Sequence, residues 1–368
     1  MPNSRRLVRI LPLALLSLSA ACGSGGDEAG LPAATIQAWR GSVATAEGAA
    51  KLVRNPDQPL LPDGSVRVDS AWRVEKAEGW AAPSALALSD ENVFLLDARA
   101  GRIHVVGREG EVRPSVGEGA GLSEPVSIAW SDGILAVGDP GRSGIVMLRE
   151  NGLALEPVRG LERAAVQGLA EGGFIANGYD GRTHQWQMYG RPRPWMVELP
   201  QWTNAAEYCA SVSGGPYILQ ADCAAPTFRV FDERGKLIRQ VQIDRPLPPA
   251  ATPTTLAAAD SAARKQLQAD AAKIVRGIRY DPASKLFALW GQQPGGSAWV
   301  DVFSEDGVYL TTVRFGAAWA DFAFAGFTFY ALEPAADGAA ALAAYRLRLP
   351  ANAAEEAHKA AGAKAGNG

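Results

Sequence analysis

A chain of 368 residues, 47% apolar and 20% charged, with 40 glycines and 24 prolines, could form two ordinary domains or one large all-β domain, and length alone does not choose. A formal charge of −3 argues against a nucleic-acid partner, and past the N-terminus no apolar run is long enough to cross a bilayer as a helix. Three histidines, two of them in the body at His104 and His184, are too few for a multi-histidine metal centre.

The chain opens as a secretory signal over residues 1–21. Arg5, Arg6 and Arg9 precede a short apolar stretch, Ile10 to Ala21, which ends in the small residues Ser19-Ala20-Ala21. Because Cys22 comes next, the segment resembles the lipobox of bacterial lipoproteins, whose cysteine is lipidated and becomes the new N-terminus. That resemblance implies a lipid anchor at Cys22. With Gly23 rather than Asp following, it also implies an outer-membrane lipoprotein facing the periplasm or cell surface. Leu usually stands three residues before the cysteine, whereas here Ser19 does, so cleavage without lipid and a soluble exported protein stays open. Loss of residues 1–21, with three arginines and no acid, takes the formal charge from −3 to −6.

Residues 22–64 read as a tether: Gly-Ser-Gly-Gly, then Ala- and Pro-rich sequence without a sustained apolar period. The tail, residues 351–368, reads as a disordered counterpart rich in Ala, Gly and charge. Once Cys22 is assigned to the anchor, Cys209 and Cys223 remain, and an even remainder in an oxidising compartment suggests one disulfide.

Laid on itself at an offset of 42 residues, the body places Pro83 on Pro125, Ala87 on Ala129, Ser89 on Ser131, Asp90 on Asp132, Asp97 on Asp139 and Gly110 on Gly152, without a gap. Each copy reads as Pro, an apolar strand, a polar turn, a second apolar strand ending in Asp, a Gly-containing loop and a third strand. The 13-residue interval from Asp to Gly recurs at Asp222 to Gly235, and a diverged copy lies around Asp180. Units are expected to begin near residues 82, 124, 165, 206 and 277. A sixth, Trp319 to Leu349, has room for three strands and takes its fourth from Val66 to Val74. One such antiparallel sheet cannot bury both faces alone, so the units read as blades. The pattern resembles the NHL repeat, which implies an all-β, six-bladed β-propeller over residues 65–350, closed by the N-terminal strand 66–74. Mapping by the 125-residue shift from Asp97 to Asp222 sets Cys209 and Cys223 at the same end of one hairpin, a local staple.

Between the fourth and fifth units, Asp244 to Arg276 is an insertion whose second half places Leu256, Ala263, Leu267 and Ile274 on one helical face. A short helix there is expected either over the channel mouth or against a blade side.

The repeated acids Asp97, Asp139 and Asp222 are expected to accept backbone hydrogen bonds in their turns rather than to bind metal. The stretch that departs most from the repeat supplies the candidate binding residues Asp180, Arg182, His184, Trp186, Arg191 and Arg193. Propeller lactonases hold a divalent metal with acids from the inner strands. The corresponding starts here are Ser84, Val126, Val166, Tyr208, Gly277 and Ala320, with Glu207 and Asp321 the nearby acids, too few for that cage. No Gly-x-Ser-x-Gly elbow and no phosphate-cradling loop occurs, so no catalytic residue, metal or cofactor is assigned. The expected role is a membrane-tethered, non-catalytic scaffold that recognises a protein, peptide or glycan through its loop face. A channel-site hydrolase or lyase of the propeller lactonase type is the alternative.

Overall fold

The structure, a computed structural model, describes residues 39–45, 50–62, 64–75, 77–142, 144–155, 158–159, 165–168, 174–179, 184–189, 196–198, 208–210, 216–222, 225–245, 275–292, 296–334 and 340–365. In chain order the strands are β1 (Ser42–Thr45), β2 (Lys51–Asn55) and β3 (Arg67–Val74), followed by β4 (Pro83–Leu88), β5 (Asn92–Asp97), β6 (Arg102–Gly107) and β7 (Val112–Val116). Next come β8 (Ser127–Ser131), β9 (Ile134–Asp139), β10 (Gly144–Arg149) and β11 (Val158–Arg159), then β12 (Ala165–Gly168), β13 (Phe174–Tyr179), β14 (His184–Tyr189) and β15 (Met196–Glu198). They continue with β16 (Tyr208–Ala210), β17 (Ile218–Asp222), β18 (Thr227–Phe231) and β19 (Leu237–Ile243), and with β20 (Val275–Asp281), β21 (Leu286–Gln292), β22 (Ala298–Ser304) and β23 (Tyr309–Arg314). The last are β24 (Asp321–Ala325), β25 (Thr328–Pro334) and β26 (Ala340–Arg348), before one helix, α1 (Ala353–Ala365). Among the described residues no helix is long and apolar enough to cross a membrane.

These strands form six sheets, each built on an antiparallel meander of three or four successive strands. In the last sheet the fourth strand is β3, which pairs antiparallel with β26 from Leu342 opposite Val74 to Arg348 opposite Arg67. The first strands adjoin one another in the order β16, β20, β24, β4, β8, β12.

The packing explains why strands such as β5 and β21 carry successive apolar residues instead of alternating. Along β5, Val93 and Leu95 join a core with Ala323, Tyr330, Leu332 and Leu342 of the last sheet, while Phe94 and Leu96 join another with Ile128, Leu135, Val137 and Val146 of the second. Successive side chains of a strand point to opposite faces, so a sheet covered on both faces needs apolar residues at every position. Each fully buried Leu or Phe contributes about 1.5 to 3 kcal/mol. A larger core unites the sheets of β16–β19, β20–β23 and β24–β26 around Phe228, Phe287, Phe303, Trp319 and Phe322.

Two segments depart from their sequence reading. Residues 22–64 read as a tether, yet β2 runs parallel to β19 with Lys51 opposite Arg239 and Asn55 opposite Ile243, and β1 pairs outside it, which makes that sheet six-stranded. Asn55 is 1% exposed and fastens this segment. Its side-chain amide donates to the carbonyls of Gly307 (3.0 Å) and Gln242 (3.2 Å), and its carbonyl accepts the Tyr309 N–H (2.7 Å). Leu60 and Leu61 then donate backbone hydrogen bonds to Tyr309 and Leu310, so the segment crosses from one sheet to the next. The fit is tight at Gly307, whose φ is +83° and where a Cβ would stand 2.7 Å from Val241.

The tail read as disordered instead forms α1, which packs on β1 and β22 through the buried Ala353 and Ala357. Ala is the best helix former, and Glu355 pairs with Lys359 one turn on at 2.7 Å. Residues 1–21 and Cys22 lie outside the described residues, as does the insertion from 246 to 274.

Asn55→Ala should lower the unfolding free energy in urea by about 2 kcal/mol, because it leaves buried backbone groups unsatisfied. A change below about 0.5 kcal/mol, as at an unattached surface position, would contradict the clasp.

Candidate functional site

Two of the repeated acids hold the segments that lead into their sheets. Asp97, fully buried, accepts the N–H groups of Ala81 (2.7 Å), Ala82 (3.1 Å) and Ala100 (2.9 Å), which ties the end of β5 to the segment entering β4. Forty-two residues on, Asp139 repeats the arrangement with the N–H groups of Ser123 and Glu124, both at 2.8 Å. Asp222 ends β17 at the equivalent position. A short acid is required because its two oxygens must reach several backbone donors at once.

The first unit adds His104, 2% exposed, whose Nε2 lies 3.1 Å from Asp97 Oδ2 and whose Nδ1 lies 3.1 Å from Ser115 Oγ. Trp80 covers the ring at a centroid distance of 5.6 Å. Burial pushes the imidazole below its ordinary value against the pull of Asp97. Burial opposes ionisation of Asp97, but hydrogen bonds from Ala100, Ala81, His104 and Ala82 hold its carboxyl below the usual range. Although Ser, His and Asp meet here, this cluster is a buried brace: the backbone donors and the imidazole occupy the acid, and the cavity described next does not reach it.

A second device recurs where the first strands begin. In β4 the register jumps between Pro83 and Ala85, leaving Ser84 as an extra residue, and in β20 it jumps between Val275 and Gly277, leaving Arg276. Both Val126 and Ser127 oppose Gly138, and both Ala320 and Asp321 oppose Leu332, so the same two-against-one count holds in the second and last sheets. Bulges of this kind re-aim a side chain off its sheet. All four extra residues, Ser84, Val126, Arg276 and Ala320, line one cavity of about 910 Å³.

Small side chains from the first strands wall this cavity, among them Ala85, Ala87, Ala129, Ala323 and Ala325. Four acids line it as well, Asp90 and Glu109 in turns and Asp281 and Asp321 at strand ends. Asp321 accepts the Leu86 N–H (2.7 Å) across the boundary between the last and first sheets and pairs with Arg279 at 3.0 Å. Burial raises its pKa, against the pull of Arg279. Asp281 accepts N–H groups from Ala283 (3.2 Å), Ser284 (3.0 Å) and Gly326 (2.8 Å). At the rim, the Arg108 guanidinium lies 5.0 Å from the Tyr330 ring centre, and the Trp72 indole N–H donates to the Arg108 carbonyl at 2.8 Å.

The cavity differs from the expected loop face. It reaches the turns that follow the first strands, at Asp90, Pro282 and Gly326, and no residue from Asp97 to Arg102 or from Asp139 to Gly144 lines it. Those loops are drawn by their acids onto the connections between sheets. Sequence reasoning also named Gly277 as the fifth channel position, whereas the bulge puts Arg276 there. Of the candidate binding residues, His184 and Trp186 fall on β14, opposite Tyr179 and Asn177, while Asp180, Arg182, Arg191 and Arg193 lie outside the described residues. Cys209 falls on β16 opposite Ala221, and Cys223 lies outside the described residues. Among the described residues, no group of three His, Cys, Asp or Glu gathers as a metal site.

Meander sheets packed face to face, with their first strands adjoining around a cavity, define a β-propeller. Solved structures similar to this chain include a member of the DUF4221 family from Bacteroides vulgatus, at 9% identity and a TM-score of 0.56, covering 78% of this chain and 100% of that one. A candidate exported protein from Bacteroides fragilis is similar at 7% identity and a TM-score of 0.51, with 81% and 99% covered. A virginiamycin B lyase from Staphylococcus aureus follows at 10% identity and a TM-score of 0.46, with 76% and 99% covered. At such identities the likeness is one of fold alone. No protein-family profile matches the sequence, and no curated protein does.

The buried His104 makes a pH prediction. An unfolded histidine titrates near pH 6.5, and the folded one lower, so its contribution to stability is present above about pH 6.5 and is lost as pH falls toward the folded value. Urea midpoints of the native chain should fall between pH 7 and pH 5, and His104→Gln should flatten that slope. An unchanged slope in the variant would contradict the assignment.

Proposed function

We propose that this chain is a six-bladed propeller of NHL-like type, exported and anchored to the outer membrane through Cys22, which binds a peptide, protein or glycan ligand without catalysing a reaction. Six sheets whose first strands adjoin from β16 round to β12 support that blade count. Export rests on the signal-like residues 1–21 and on Cys22, and the candidate exported protein from Bacteroides fragilis has a similar fold.

One observation carries the non-catalytic reading: the inner carboxylates of the cavity are already engaged. Arg279 and the Leu86 N–H hold Asp321, and three backbone donors hold Asp281, so neither is left free to ligate a metal or to act as a base. A cavity of about 910 Å³ suits a ligand of several sugar or amino-acid units. The second reading, a hydrolase or lyase, is favoured by the raised pKa of Asp321, since buried carboxyls in clefts serve as proton donors.

The test uses Ser84→Trp, which fills the cavity from an exposed position. The mature chain is applied to peptide and glycan arrays and assayed against a lactone and ester panel with and without divalent ions. We expect array binding that falls at least tenfold in Ser84→Trp, with no turnover. Turnover by the native chain that Ser84→Trp abolishes would establish the second reading instead. For the anchor, Cys22→Ser should move the protein from the membrane fraction to the soluble exported fraction, and retention at the membrane would refute lipidation.

A further inference from the structure

Among the charges carried by the first strands that line the cavity, freedom is unequal. Asp321, Asp281 and Arg279 are held as described, and the Arg279 guanidinium also donates to the Ile278 carbonyl at 3.1 Å. Arg276 differs: its side chain is exposed in the cavity, and among the described residues no carboxylate pairs with it. It owes that position to the bulge in β20, which takes it out of the ladder between Val275 and Gly277. Its neighbours at the same level of the repeat carry no charge, namely Ser84, Val126 and Ala320. Of these, Val126 is 56% exposed, an apolar side chain left uncovered on the cavity wall.

An unpaired guanidinium presents five donors in a planar fork that matches a carboxylate, and such a pair strengthens where walls exclude water. An exposed Val on the cavity wall three sheets further round offers apolar contact to a more distant part of whatever the fork holds. Resting on the binding reading above, we propose that Arg276 anchors the ligand by a carboxylate, with Val126 packing against carbon skeleton further from that group. Two sources carry that chemistry, the C-terminus of a peptide and the uronic-acid unit of a glycan.

The mature chain labelled with 15N-arginine is titrated with sodium acetate at constant ionic strength, following the Arg276 Nε–H signal, assigned by its absence in Arg276→Gln. A saturable shift is expected, with none from sodium chloride. Two paired probes then separate the sources: trialanine against its C-terminal amide, and trigalacturonate against its methyl ester. The acid of the correct pair should bind at least tenfold tighter than its neutral partner, and Arg276→Gln should abolish that preference while Arg276→Lys restores part of it. Arg276→Gln removes no buried contact, so its melting temperature should match the native chain. Two results overturn the anchor: no saturable acetate shift, or acid and neutral probes that bind alike. If those probes still lose affinity in Ser84→Trp, the cavity remains the binding site and the carboxylate anchor alone falls.

Discussion

A four-stranded sheet whose second strand carries apolar side chains on both faces cannot leave either face in water. That requirement organises this protein, because a single partner covers one face and a ring of partners covers both. The alternation along β5 shows the consequence, with Val93 and Leu95 facing the last sheet and Phe94 and Leu96 the second. Once sheets stack in this way, their first strands must converge, and the space between them becomes the cavity.

Two local devices adapt that frame. The acids that end β5 and β9 hold the following loops against the connections between sheets, which fixes each blade to its entry segment. Where the first strands begin, one extra residue per strand is turned off its sheet, and the chemistry of the cavity is set by the side chains found there. Three of the four are Ser, Val and Ala, so Arg276 is the one charge among the bulge residues. The N-terminal clasp and α1 stand on the outer side, where they cover strands that would otherwise present open edges and apolar faces.

Much of the frame was legible in the sequence because repeats advertise themselves. The 42-residue offset marked both the strands and the acids, and the hydrogen bonds of Asp97 and Asp139 follow the same offset down to their backbone donors. The clasp was not legible. Its strands are short and partly polar, and β2 finds its parallel partner in β19, nearly two hundred residues away, which no local pattern announces. The helix α1 was legible and was passed over, since Ala spacing and the Glu355–Lys359 pair signal a helix even in a low-complexity tail. Arg276 was hidden by one residue. The count of repeat units places Gly277 at the start of the fifth, and a bulge, which leaves no periodic trace, replaces it with its neighbour.

The account depends on the last sheet meeting the first, and one hydrogen bond reports that meeting. The Leu86 N–H donates to Asp321 Oδ2, 235 residues away in sequence. Amide hydrogen exchange of Leu86 in the native chain and in Asp321→Ala, with the β21 amides as the reference for global opening, measures it directly. The ring predicts a Leu86 amide protected in the native chain and exchanging at least tenfold faster in the variant while β21 stays protected. An amide that exchanges freely in the native chain, or whose protection is indifferent to Asp321, would mean that the two sheets do not adjoin and that no common channel exists.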